Sequence, residues 1–203
     1  MSLRAELTGG PTAAVPPYRM LIPPGWEAYD LSLETESDLL ARAAGRLTGA
    51  GRPDLTGQLT DRVRRSIEDL RRQSAFAYAL PTEGAPTWAL GAASLVGLKR
   101  VGTPELPLDE VVADAIARHG ATPLGDDARI VRWAERRTAT VDGERIATLQ
   151  LCYIIPIPGS RRTQALQWVV NVSHDPDLAP DAPVLVAWEA LFDVHVATFA
   201  WME

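Results

Sequence analysis

Apolar positions are densest in the last third of the chain. Two runs, Glu144–Ile155 and Gln164–Val172, alternate in a way that predicts strands, and the almost wholly apolar stretch Val184–Trp201 predicts a docked helix. Ahead of them, Asp142–Gly143 tolerates the positive φ that both central positions of a type I′ turn require. Counting outward sets Val141 opposite Glu144, Ala139 opposite Ile146, Arg137 opposite Thr148, Glu135 opposite Gln150 and Trp133 opposite Cys152. The other face pairs Ala134 with Leu151 and Ile130 with Ile155. Gln164–Val172 turns Leu166, Trp168, Val170 and Val172 inward and Gln167 and Asn171 outward. It follows Pro156–Thr163, so three consecutive strands form a meander roofed by the last helix.

Earlier segments are shorter and more polar. Tyr18–Ile22 and Trp26–Leu31 read as strands joined by a tight turn at Pro23–Gly25. Glu34–Leu47 reads as a helix with Leu39, Leu40, Ala43, Ala44 and Leu47 on one side, ended by the glycines around Gly49–Gly51. A second helix opens with Pro53, carries Leu55, Leu59, Val63, Ile67 and Leu70, and turns Arg62, Arg65, Asp69 and Arg72 outward. Ala75–Leu80 and Thr87–Leu98 make a hairpin across Pro81–Pro86. Pro107–His119 offers a third helix with Val111, Val112, Ala115 and Ile116 as its stripe and Gly120 as its C-terminal cap.

The resulting order, β-β-α-α-β-β-α-β-β-β-α, predicts an α+β fold: an antiparallel β-sheet flanked by helices as an α/β/α sandwich. One domain is expected over residues 18–203, after a flexible arm at residues 1–17 rich in Gly and Pro. The run Leu21-Ile-Pro-Pro-Gly-Trp26 followed by a strand, with the late meander and terminal helix, resembles the Mog1/PsbP-like domain family. That resemblance implies an antiparallel sheet between helix layers, and a binding or accessory module without bound cofactor. It also brings in a role as an accessory factor in secretion or envelope assembly.

Composition narrows the rest. The 203 residues are 46% hydrophobic and 23% charged, as in folded soluble proteins, and Glu189, Asp193 and His195 interrupt the one stretch long enough to suggest a membrane span. A net charge of −6 weighs against nucleic acid as partner. The first residues lack a basic segment followed by an apolar one, so a cytoplasmic location is the expectation. Cys152 is the sole cysteine, which fits a reducing compartment and excludes an internal disulfide. Lys99 is the lone lysine among many arginines, a bias expected of a GC-rich, actinobacterial genome.

Candidate chemistry is sparse. Ser173-His174-Asp175 has the residue types of a hydrolase triad, but neighbours on an extended chain point alternately and no G-x-S-x-G elbow accompanies them. His119, His174 and His195 lack metal-ligand spacing. Glu110 and Asp114 share a helix face, as solvated carboxylates commonly do. No catalytic, cofactor-binding or metal-binding residue is assigned. The contact candidates are Arg161 and Arg162 at a hairpin tip, Arg136 and Arg137 on a strand, and Trp133 on the more polar hairpin face. The leading expectation is a non-enzymatic module that binds a partner protein or itself, without membrane insertion. A small-molecule binder or hydrolase using a pocket between sheet and helices, with His174 or His195 as base, is the alternative.

Overall fold

The structure is a computed structural model describing residues 15–49, 51, 53–82, 84–85, 93–104, 106–125, 127–141 and 144–202. Its elements are β1 (Tyr18–Arg19), β2 (Trp26–Tyr29), α1 (Leu33–Gly49), α2 (Thr56–Arg72, entered through one 3-10 turn at Pro53–Leu55), β3 (Ala75–Pro81) and β4 (Ala93–Val101). They continue as α3 (Leu108–His119), β5 (Thr122–Leu124), β6 (Asp127–Val141), β7 (Glu144–Pro156), β8 (Gln164–His174), α4 (Pro183–Ala197) and β9 (Ala200–Trp201). Seven strands form one sheet in the order β2-β3-β4-β8-β7-β6-β5, with every neighbouring pair antiparallel. The fold is α+β, as the alternation of periods two and 3.6 along the chain requires.

The β6–β7 register is the one counted from the turn: Val141 faces Glu144, Ala134 faces Leu151 and Trp133 faces Cys152. Asp142 and Gly143 themselves lie outside the described residues. The ladder begins at Val131 and Ile154, one residue short of the expected Ile130–Ile155 pair.

Because side chains alternate across a strand, the central strands feed two cores. On one face Leu149, Leu151, Tyr153, Leu166, Trp168, Val170 and Val172 pack under α4, which contributes Leu185, Trp188, Phe192 and Val196. Each such side chain contributes about 1.5–3 kcal/mol by leaving water. On the other face Val96, Leu98, Cys152, Ile154, Ala165 and Val169 pack with Leu108 and Ala115 of α3, and Leu70 of α2 joins them.

Three expectations are corrected, and one strand is new. The chain after Ala197 is not helical: Ala200–Trp201 is extended and pairs with β1, so β1 does not partner β2. The Pro23–Gly25 turn is present, closed by the Trp26 N–H donating to the Pro23 carbonyl at 3.1 Å with Gly25 at φ +75, but it redirects the chain instead of joining paired strands. Ile116 of α3 is 54% exposed and outside the core stripe. The short β5, beside β6, went unforeseen. Residues 1–14, Trp88 and most of the β3–β4 connection lie outside the described residues, as do the side chains of Ala43, Leu47 and Leu59. The end of the expected arm is held in place: Val15 packs on the first core, and the Pro17 carbonyl accepts the Met202 N–H at 2.9 Å.

Candidate functional site

The contact residues picked from sequence do not meet in one place. Trp133 is 6% exposed, in the core under α3, which corrects its assignment to a partner surface. The hairpin face that seemed polar is the floor of a helix layer. The Trp133 Nε1–H donates to Glu135 at 2.9 Å, and Arg137 donates to the same carboxylate at 2.6 Å. Burial alone would raise the Glu135 carboxyl, but Trp133, Arg137 and the nearby His119 outweigh it and hold the group below the usual range. Arg136 points to the opposite face, donating to the Pro180 carbonyl at 2.7 Å and approaching Glu189 at 3.4 Å. Arg161 and Arg162 occupy the exposed β7–β8 tip in left-handed backbone, φ 53 and 63. That tip is about 26 Å along β7 from the position facing Arg137, at about 3.3 Å per residue.

The histidines are also dispersed. His119 ends α3, His174 ends β8 with Nδ1 2.8 Å from the Asp175 carbonyl, and His195 lies in the last turn of α4. Among the described residues, no group of three or more His, Cys, Asp or Glu side chains is placed to hold a metal ion, and no helix is long and apolar enough to cross a membrane. Asp114 is ion-paired to Arg118 at 2.6 Å, the ordinary use of an exposed carboxylate on a helix.

Two surface features stand out. The first is the outer face of α4. Leu185, Trp188, Phe192 and Val196 face the sheet, while Val186, Ala190, Val194 and Ala197 recur every three or four residues on the solvent side, Val186 at 52% and Val194 at 66% exposure. A helix apolar on both sides is ordinarily covered on both. One flank is charged: Arg132 of β6 reaches Glu189 at 2.6 Å and Asp193 at 3.1 Å, and Asp193 also accepts the Tyr153 hydroxyl at 2.7 Å. Desolvation opposes the Arg132 charge, but the two carboxylates more than compensate, so its pKa is raised. Burial, reinforced by the same Asp193, pushes the Tyr153 hydroxyl far up, keeping it a donor.

The second is a groove of about 400 Å3 on the helix-bearing face, between the end of α2 and β6. Its floor is Val96, Leu98, Gln150, Cys152, Gln167, Val169 and Asn171, with Leu70 and Gln73 on one wall and Glu135 and Arg137 on the other. Arg100 of β4 enters from the side, its Nε–H donating to Gln167 Oε1 at 2.6 Å. Burial pushes the Cys152 thiol up to about 12, so it stays protonated and is no nucleophile. A larger, more apolar groove of about 570 Å3 lies between α1, α2 and the β2–β3 edge, rimmed by Arg42, which binds Glu27 at 2.9 Å.

Sequence reading missed both features. The signal for the first is the all-round apolarity of Val184–Trp201, which exceeds what one docked face requires. Arg100 passed unnoticed beyond the expected end of a strand at Leu98, although a charge continuing the alternation of Val96 and Leu98 must lie on the same face as they do.

No family model and no curated protein matches the chain in sequence. Among solved structures it is similar to the Ran-binding protein Mog1p of Saccharomyces cerevisiae, with 13% identity over 62% of this chain and 78% of that one and a TM-score of 0.33. At that TM-score no fold assignment, residue or activity is carried across to this chain.

Proposed function

We propose that this protein is a non-enzymatic module acting through protein–protein contact, and that the outer face of α4 is the contact surface, taken up by a second copy of the chain. The observation that carries this reading is the exposure of Val186 and Val194 on a helix whose inner side is already buried. The stripe is symmetric about Ala190, with Val186 four residues before it and Val194 four after. A two-fold axis through Ala190 sets Val186 of each copy against Val194 of the other, and alanine at the axis lets the helices approach. Arg136 borders this face and belongs to its polar rim, whereas Arg137, Arg161 and Arg162 are outside it. A reducing, cytoplasmic setting suits the single, deeply buried cysteine.

Ala190→Cys places a thiol on the proposed axis in a chain whose native Cys152 is inaccessible. Mild oxidation is expected to trap a covalent dimer in high yield, and Val186→Asp in the same background to abolish it. An Ala190→Cys protein that stays uncrosslinked at high concentration contradicts the reading.

A further inference from the structure

The groove between α2 and β6 has a chemistry that association through α4 does not use. Two of its side-chain amides, Gln167 and Asn171, have their oxygens engaged, while Gln150 is turned the other way, its N–H given to Asn171 and its oxygen facing the Cys152 thiol at 3.9 Å. Gln167 spends its carbonyl oxygen on Arg100 at 2.6 Å, and Asn171 spends its own on the Gln150 amide at 2.8 Å. The two amide NH2 groups therefore keep N–H donors at the groove floor. Glu135, the carboxylate in the lining, is matched by Arg137 and by the Trp133 N–H. Arg100 is different. It is half-buried, and among the described residues its side-chain hydrogen bond is to a neutral amide and no carboxylate pairs with it. A guanidinium taken partly out of water without a counter-charge costs stability, and its Nη groups retain a fork suited to two oxygens of one acid.

We propose that this groove is a binding site for a small organic anion, whose carboxylate or phosphate group sits in the fork of Arg100 beside the Gln167 amide. The rest of the ligand extends along β8 toward Asn171, four residues and about 13 Å away on the same face. The cavity has the size of a metabolite site and is lined chiefly by hydrogen-bonding side chains, so the ligand is compact and polar.

Inorganic phosphate and succinate, titrated separately at constant ionic strength and followed by thermal melting and calorimetry, test this and separate the two acid types. At least one is expected to raise the melting temperature of the wild-type protein saturably with a stoichiometry near one per chain. Arg100→Gln is expected to weaken that binding at least tenfold, Gln167→Leu several-fold, and the exposed Arg65→Gln not at all. Arg100→Met, which removes the unpaired charge, should melt no lower than wild type without ligand. The proposal is overturned if neither anion shifts the wild-type melt beyond a chloride control. It is equally overturned if Arg100→Gln and Gln167→Leu, or Gln167→Leu alone should the other not fold, bind as tightly as wild type.

Discussion

Gly97 sits where β4 passes beneath an aromatic cluster. A methyl group built on it would lie 2.7 Å from Phe76 Cζ and 2.9 Å from Trp168 Cζ3, and Phe76 and Trp168 already meet edge to face with Tyr18 beside both. Rings locked edge to face cannot all retreat, so Gly97→Ala is expected to cost about 1–3 kcal/mol, read as a lower urea midpoint at unchanged slope. His195 makes a different prediction. Burial holds its imidazole below the ordinary value, partly opposed by the Leu21 backbone. The unfolded chain therefore takes up this proton first as pH falls. The neutral ring's contribution is complete above about pH 6.5 and is lost as pH drops through the lower folded value. Stability measured by denaturant melts between pH 7 and pH 5 should fall with pH in the wild type and fall less steeply in His195→Gln.

At the scale of elements, α4 is anchored at two levels. Its inner face is apolar, and Arg132 clamps Glu189 and Asp193 from β6 while Tyr153 reaches Asp193 from β7. Arg132→Met keeps much of the side-chain volume and removes the charge-assisted hydrogen bonds. It is expected to cost about 1.5–3 kcal/mol in chemical denaturation. The sequence made the β6–β7–β8 meander legible because alternation over eleven or more residues and a turn dipeptide agree on one register. Short elements were not legible for the converse reason. β1, β5 and β9 have two, three and two residues, too few for any period to emerge, and they exist because tertiary pairing supplies what local preference does not. Trp133 was misplaced because Gln150 and Glu135 around it suggested water. The cover that α3 gives is a long-range fact, absent from the hairpin's own sequence.

At the scale of the molecule, β8 lies between β4 and β7, so the early hairpin and the late meander share one sheet through a pairing that joins Ala93 to Val172. No local pattern announces such a pairing, and the strand order had to come from the structure. The sheet so formed separates two faces with different surfaces: an open, donor-rich groove on one, and on the other a helix with apolar residues turned to solvent. Net charge of −6 disfavours close approach of two copies in general, which makes an apolar stripe bordered by internally neutralised ion pairs the natural place for it. The most direct measurement is sedimentation velocity of the wild-type protein and of the Val186→Asp/Val194→Asp double variant across a concentration series. The account predicts that the wild type sediments at twice the chain mass and that the variant, folded by circular dichroism, sediments as a single chain. A wild type that remains a single chain at every concentration, or a variant that dimerises equally well, would contradict it.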